Sequence, residues 1–205
     1  MRRDFPLPRR FAVFGTAALA GCSVLPQPKY VQQTQWPLVV RRPESLPPRA
    51  KGHVLVVRDI RPAAGLEQRG LQWLLPDGSV HVDFYNQWAV PPAQALTDDL
   101  RQWLAASGLF AAVVAPDSGL TPDMTLEGQL TAFIADPRVL NAHAALAIVL
   151  LNQHPVPAKV LLQRTITADS RMATGTPSGV VDALRAALGT VLRGTEAAVA
   201  GFAGR

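Results

Sequence analysis

The sequence predicts a single α/β domain, in which a mixed, twisted β-sheet is packed by two main helices, behind a signal peptide and a Pro-rich tether. Short stretches rich in β-branched residues recur between turn signals, which is typical of strands. Two other stretches carry apolar residues at helical spacing. Hairpins combined with one helix between strands favour a mixed sheet over a purely parallel one.

The N-terminus has the layout of an export signal. Four arginines precede a short apolar run, Phe11 to Ala20, which fits the central region of a signal peptide. The run is about half of the roughly 20 residues that a bilayer-spanning helix needs. Leu19-Ala20-Gly21-Cys22 resembles the bacterial lipoprotein box. We therefore predict residues 1–21 as a lipoprotein signal peptide, cleavage between Gly21 and Cys22, and a covalent lipid on Cys22. Arg2-Arg3-Asp4-Phe5 loosely resembles a twin-arginine signal, so the export route stays open.

Cleavage changes the charge balance of the chain. The full sequence has a net charge of +5, and residues 1–21 carry four arginines and one aspartate. The mature chain keeps 16 basic and 14 acidic residues, a net charge of +2. Its basic residues are scattered, so we predict no nucleic-acid partner. Cys22 is the sole cysteine, and once it is lipidated no disulfide within the chain is expected.

Residues 22–50 are predicted to be a lipidated Pro-rich tether, and residues 51–205 the domain. Six prolines in the tether disfavour helix and favour extended chain: Pro26, Pro28, Pro37, Pro43, Pro47 and Pro48. Tyr30 to Gln35 could be a first edge strand. Ser23 follows the predicted lipidated cysteine, and by resemblance to bacterial lipoprotein sorting the lack of aspartate there indicates the outer membrane.

The first half of the domain contains a predicted hairpin. Three strands are expected, at His53–Ile60, Leu71–Leu75 and Val80–Tyr85. Pro76-Asp77-Gly78-Ser79 between the last two has the composition of a turn. Val80, Val82 and Phe84 alternate with polar residues, so this face of the hairpin is expected to be buried.

A helix is predicted after Pro92, and a second one closes the chain. The apolar stripe of the first helix is Leu96, Leu100, Trp103 and Leu104. Asp98-Asp99 near its start suits the helix dipole, and adjacent helical residues point in different directions, which disfavours an acid pair. The second helix has Thr176 as N-cap and Pro177 as first residue. Its stripe is Val181, Leu184, Leu188, Val191, Val199 and Phe202.

Four further strands are expected between the helices: Ala111–Ala115, Met124–Ile134, Ala142–Leu151 and Lys159–Ala168. In the second of these, Met124, Leu126, Leu130 and Ile134 are expected to share one face. Ala142–Leu151 is apolar at nearly every position, which indicates a central strand covered on both sides.

The sequence offers little catalytic chemistry. There is no nucleophile elbow and no phosphate-binding glycine loop. The four histidines are not paired at metal-ligand spacing, so no metal is expected. His143 in an apolar strand could be a switch or a ligand, although a hydrogen-bonded structural histidine is the better interpretation. We therefore predict that the protein is not an enzyme, and that it needs no cofactor beyond the lipid on Cys22.

The stretch "FYNQWAVPP" ends a strand and begins a helix. Trp88 would bury a large ring there, Asn86 could bond the turning backbone, and Pro91-Pro92 would stiffen the helix entry. This favours a structural corner. The alternative is an exposed docking surface for a partner, because Tyr85, Trp88 and proline are also typical of interfaces.

The order of these motifs resembles the ABC-type transport auxiliary lipoproteins, including the PqiC-like lipoproteins of MCE-type lipid transport systems. The resemblance covers most of residues 53–200. It rests on the lipoprotein box, on "HVLVVRDI", Gly65-Leu66-Glu67, the corner Tyr85 to Pro92, Ser107-Gly108-Leu109-Phe110 and "MTLEGQLTAFIAD".

The resemblance implies a non-enzymatic, lipid-anchored protein at the outer membrane of a Gram-negative bacterium, facing the periplasm. It would dock an envelope-spanning MCE-domain protein that works with an ABC permease and ATPase in lipid transport, and a homo-oligomer is conceivable. Two alternatives remain open. One is an outer-membrane scaffold or assembly lipoprotein, and the other is a lipid carrier unrelated to ABC transport.

Overall fold

The computed structural model describes residues 31–154 and 156–204. The elements within these residues are β1 (Thr34–Trp36), β2 (Val54–Val57), β3 (Arg61–Pro62), β4 (Gly70–Leu74), β5 (Val80–Trp88), α1 (Pro92–Ala105), β6 (Ala112–Val114), β7 (Met124–Asp136), β8 (Asn141–Asn152), β9 (Lys159–Arg171) and α2 (Pro177–Ala200).

The strands form one mixed sheet around the long strand β7. On one side β7 pairs antiparallel with β8, which pairs antiparallel with β9. On its other side β7 pairs parallel with β2, β3 and β4 in succession along its length. Beyond these, β6 joins β2, β5 joins β4, and β1 joins β5. The predicted mixed sheet packed by two helices is confirmed, and β1 and β9 lie at opposite edges of it.

Both helices pack on the same face of the sheet. α1 contacts β2, β3 and β6, whereas α2 contacts β7, β8 and β9. The core between helices and sheet consists of fully buried aliphatic side chains, among them Leu55, Val57, Leu96, Leu100, Leu126, Leu146, Leu184 and Leu188. The predicted helix starts are confirmed, since Pro92 and Pro177 are the first residues of α1 and α2, and Thr176 Oγ1 accepts the Gly179 N–H at 3.4 Å.

The prediction that Val80, Val82 and Phe84 form a buried face is wrong. Val80 and Phe84 are exposed, and Val82 is half-buried. For Phe84 the reason is an irregular register, because Gln72 pairs with Val82 whereas Gly70 pairs with Gln87. Val80 precedes this irregularity and lies beside the exposed turn at the end of the hairpin. The residues between Val82 and Gln87 therefore form a bulge on β5, and extra residues on one strand interrupt the alternation of faces.

A second bulge changes which residues of β7 face the core, so the predicted face holds for only part of the strand. Leu130 pairs with Leu146, but Ala132 pairs with Ala145, so Thr131 is an extra residue. Before it Met124, Leu126 and Leu130 are buried as predicted. After it Phe133 and Ala135 are buried, while Ile134 is only half-buried. One inserted residue moves every following side chain to the opposite face.

Strand β8 is covered on one side rather than two. Ala142, Ala144, Leu146, Ile148 and Leu150 are buried under α2. Of the intervening residues, Ala147, Val149 and Leu151 are half-exposed, whereas Ala145 is buried where the bulge at Thr131 interrupts the register. In the described part of the chain, helices pack on only one face of the sheet. The prediction from apolar composition that both faces of β8 are covered is therefore wrong.

Candidate functional site

The predicted cleavage and lipid-attachment residues, Gly21 and Cys22, lie outside the described residues. Their roles stay predictions. The other site residues of the sequence analysis belong to the corner between β5 and α1, which the structure describes in full.

Trp88 belongs to the core. Its side chain is 1% exposed, and its ring packs against Phe133 with centroids 5.5 Å apart. Its backbone N–H donates to the Arg69 carbonyl at 2.7 Å. A partner cannot reach this ring without unfolding the corner, so the structure places Trp88 inside the domain.

The two prolines of the corner serve the start of α1. Pro91 is the N-cap, with φ −53° and ψ 134°, and Pro92 is the buried first residue of the helix. The Pro91 carbonyl accepts the N–H groups of Gln94 and Ala95 at 3.0 and 3.1 Å. Proline suits the first helical position, because its missing N–H would have had no helical partner there.

The bulge on β5 is fixed by the side chain of Asp83. Asp83 Oδ1 accepts the backbone N–H groups of Tyr85 and Asn86 at 2.8 and 3.0 Å. Asn86 Nδ2 donates to Asp83 Oδ2 at 2.9 Å, and Asn86 Oδ1 accepts Trp36 Nε1–H at 3.4 Å. The amide of Asn86 thus connects the bulge to β1.

Phe84 and Tyr85 project from this bulge. Phe84 is 66% exposed and Tyr85 is 45% exposed, and their rings contact edge to face with centroids 5.3 Å apart. The corner therefore has two parts. Asn86, Trp88, Pro91 and Pro92 build the fold, whereas the adjacent rings of Phe84 and Tyr85 face solvent.

The second half of the predicted tether lies on the helices. Leu38 is buried, the Val40 N–H donates to Asp99 Oδ2 at 2.8 Å, and Arg41 Nη1 lies 3.1 Å from Asp99 Oδ1. Burial raises the pKa of Asp99, and the hydrogen bond from Val40 and the charge of Arg41 partly oppose this. An extended tether was expected over residues 22–50, and its part from residue 36 onward is docked on the helices.

Glu196 holds the next part of this segment. Its carboxylate accepts Arg42 Nε at 3.2 Å and Nη2 at 3.3 Å, and it accepts Trp103 Nε1–H at 2.6 Å. Further along, the N–H groups of Leu46 and Arg49 donate to carbonyls at the end of α1 and just beyond it. No local pattern in the sequence predicts that Asp99 and Glu196 bind this segment.

The face of the sheet away from the helices is open and polar. Register places Arg61, Gln129, Ala147 and Thr165 in one row across β3, β7, β8 and β9. A groove of about 670 Å³ lies over this part of the sheet. Its lining includes the ion pair between Arg58 and Glu127 at 3.4 Å, and it includes Asp59, whose carboxylate lies 2.7 Å from the guanidinium of Arg101 on α1.

His143 lies at the end of this open face. Its Nδ1 is 2.9 Å from Asp169 Oδ1, and Asn141 Nδ2 donates to the same oxygen at 2.8 Å. The hydrogen bond with His143, and then that from Asn141, lowers the pKa of Asp169. Within residues 31–154 and 156–204, no cluster of three His, Cys, Asp or Glu side chains could hold a metal ion.

A mixed sheet with two helices on one face and an open second face defines a class of small α/β domains with solved examples. A crystal structure of a Xanthomonas campestris protein of the family DUF330 superposes with a TM-score of 0.67 at 21% sequence identity, covering 82% of this chain and 96% of that chain. A crystal structure of an uncharacterized protein gives a TM-score of 0.63 at 16% identity, covering 80% and 96%. No curated protein matches the sequence.

The family itself is shown by the sequence. The model of the ABC-type transport auxiliary lipoprotein component matches residues 37–194. The chain belongs to this family, as the resemblance predicted, and is therefore a membrane-anchored lipoprotein associated with ABC-type transport. Of the two helices in the described residues, neither is both long and apolar enough to cross a bilayer.

Proposed function

We propose that this chain is the periplasm-facing, outer-membrane lipoprotein of an ABC/MCE-type lipid transport system, similar to the PqiC-like lipoproteins. It carries a lipid on Cys22 and docks the envelope-spanning MCE-domain component, without catalysing a reaction or needing a cofactor. The observation that carries the proposal is the family match over residues 37–194, together with the lipoprotein box that ends at Cys22.

The open face of the sheet is the surface we propose for docking this partner. The helix face is already occupied by residues 36–50, whose backbone and arginines are bound by Asp99 and Glu196. On the open face, Glu127 and Asp59 are paired within the protein, whereas Arg61 is exposed. Polar, half-exposed surfaces of this kind suit non-obligate partners better than an apolar core does.

The experiment is a pull-down of the tagged, lipidated protein from gently solubilised envelope, followed by mass spectrometry. Recovery of an MCE-domain protein with an ABC permease or ATPase is the expected result. An Arg61→Glu variant should reduce this recovery, whereas Lys51→Glu, an equal charge change at another exposed position, should not. Recovery of unrelated outer-membrane assembly proteins alone, with good yield of the bait, would overturn the transport assignment in favour of a scaffold role.

Anchoring and location are measured separately. Mass spectrometry of the mature chain reports the lipid on Cys22, and density-gradient fractionation of membranes reports which membrane holds it. A Cys22→Ser variant should be unprocessed and should lose its outer-membrane location. Native mass spectrometry of the solubilised protein tests whether it forms the homo-oligomer that the resemblance allows.

The lipid-carrier alternative has less support. A carrier needs an apolar cleft, but in the described chain the space between helices and sheet is filled by buried side chains. The groove on the open face is lined by arginine, glutamate, glutamine and threonine as well as by aliphatic residues. Phospholipid co-purifying in stoichiometric amount with the detergent-free domain would favour the carrier.

A further inference from the structure

We infer that Phe84 and Tyr85 insert into the lipid surface of the membrane in which the chain is anchored. The inference rests on the proposed anchoring through Cys22. It assigns a role to the exposed aromatic pair, which the fold does not need for its core.

The pair is held rigidly before any contact is made. Asp83 accepts the N–H groups of Tyr85 and Asn86, and the Phe84 carbonyl accepts side-chain amides of Gln33 and Gln87 at 3.2 and 2.9 Å. Gly70 lets the bulge fold close to β4, because a Cβ there would lie 2.5 Å from Val82 Cγ1 and 2.6 Å from the Asp83 carbonyl oxygen. Two solvent-exposed rings on a rigid bulge indicate a surface that contacts another molecule.

The path of the chain brings this surface near the anchor. β1 pairs with residues 86–88 of β5, and Gln33 donates to the Phe84 carbonyl, so the first residues of this compact unit lie beside the bulge that carries the rings. Ten residues lie between Cys22 and Gln33, so Gln33 is the eleventh residue after the cysteine. Even a fully extended chain spans at most about 40 Å over eleven residues, so Gln33, which bonds the Phe84 carbonyl, stays within this distance of the lipidated cysteine.

The chemistry of the pair suits the interface between headgroups and acyl chains. Aromatic rings favour this region, and tyrosine adds a hydroxyl that can remain hydrated. The nearby charges of Asp83 and Arg69 are opposite in sign, and both side chains are held by hydrogen bonds within the protein, including that from Arg69 Nη1 to the Ala89 carbonyl at 3.2 Å. The contact should therefore depend on the rings and only weakly on lipid charge.

The small size of the pair favours lipid over a protein partner. Two fully buried aromatic side chains cover about 150–250 Å² each, well short of the roughly 800 Å² per partner in a specific protein interface. An anchored domain needs only a weak contact, because the anchor keeps the rings at a high effective concentration near the bilayer. Insertion would fix the orientation of the domain on the membrane, with the β1–β5 edge towards the lipid.

The test uses the acylated mature protein in vesicles of phosphatidylethanolamine and phosphatidylglycerol. The photoreactive residue benzoylphenylalanine replaces Phe84 in one variant. In the matched control it replaces Val160, which is 54% exposed on β9 at the opposite edge of the sheet. Both positions are exposed, so neither replacement should disturb the core, and flotation with the vesicles confirms equal anchoring. After irradiation we expect several-fold more phospholipid adduct at position 84 than at position 160.

Equal adduct yields at the two positions, or no lipid adduct at position 84 on vesicles that carry the protein, would overturn the inference. So would irradiation of intact envelopes that links position 84 to a protein instead of to lipid. The mass of the mature chain shows, independently of the crosslinking, whether Cys22 has been acylated. If it has not, a maleimide phospholipid coupled to Cys22, the sole cysteine, supplies the anchor, and the same comparison tests the rings without the natural modification.

Discussion

At the scale of single residues, neighbouring aromatics of one short motif have opposite environments. Trp88 is buried against Phe133, whereas Tyr85 and Phe84 are exposed on a bulge. The buried ring contributes to stability through the apolar area that it removes from water. The exposed rings contribute little to folding, which leaves them free to serve a contact.

Replacement of Trp88 by alanine should lower the free energy of unfolding by about 3–5 kcal/mol, because it leaves a cavity beside Phe133. Tyr85→Ala is the control at the exposed end of the corner. It should change the free energy of unfolding by about 1 kcal/mol or less. Urea denaturation of both variants measures the difference. Equal effects would contradict the division of the corner into a structural and an exposed part.

A second prediction at this scale concerns pH. Burial raises the pKa of Asp99 above its ordinary value of 3.8. Between that value and the raised pKa, the folded state keeps a proton that the unfolded state has released, so the contribution of Asp99 to stability falls as pH rises across this window.

The non-titrating variant Asp99→Asn isolates this effect. It should cost about 1–3 kcal/mol, because an amide cannot accept from both Val40 and Arg41 as a carboxylate does. Its deficit relative to the natural protein should shrink as pH rises from 3.8 through the raised pKa of Asp99, because the natural protein loses stability in that range and the variant has no carboxyl to titrate there. Urea denaturation of both proteins over this range is the measurement, and a deficit that stays constant with pH would contradict the raised pKa.

At the scale of elements, α1 and α2 act together as a platform for the segment of residues 36–50. Asp99 on α1 binds its first part, and Glu196 on α2 binds Arg42 while also accepting from Trp103 of α1. The guanidinium of Arg185 donates to the Pro37 carbonyl. The segment thus bridges both helices and extends the core through Leu38.

Glu196→Ala should therefore lower the free energy of unfolding by about 2–4 kcal/mol, because Trp103 Nε1–H and Arg42 both lose their acceptor in a partly buried setting. It should also make residues 37–50 more accessible to a protease. Thr190→Ala is the control on the same helix, since Thr190 is exposed and its side chain bonds only within α2 in the described contacts. That variant should change stability by about 0.5 kcal/mol or less.

At the scale of the whole molecule, the compact unit begins at Gln33, well before residue 51. It includes β1, which adds to the edge of β5, and the segment that covers the helices. The proline-rich composition of this region correctly indicated an extended chain. Packing against the helices makes that chain part of the domain.

A chain that starts at Gln33 should accordingly unfold in one cooperative transition. A chain that starts at Lys51 should be less stable by several kcal/mol, because it uncovers the site of Leu38 and leaves Asp99 without the N–H of Val40. Circular dichroism of both chains during heating is the measurement. Equal melting temperatures would show that the domain does not require residues 33–50.

The sequence by itself determined the local structure of this protein. Both helices begin where Pro92 and the Thr176-Pro177 pair indicated, and the predicted strands occur in order, because capping, turn chemistry and side-chain periodicity act over a few residues. The order of motifs also identified the family, which the match over residues 37–194 confirmed. The short strand β3 was missed, since Arg61-Pro62 has no strand pattern of its own.

Only the tertiary structure decided which side chains are covered. Alternation predicts a face until an extra residue interrupts it, and the bulges at residues 83–86 and at Thr131 exist only because β4 and β8 set the register opposite them. They expose Phe84 and reverse the faces of β7 after Leu130. Likewise, proline fixes an extended backbone, but the contacts of residues 36–50 depend on two acids far away in the sequence, which the packing of α1 on α2 brings together.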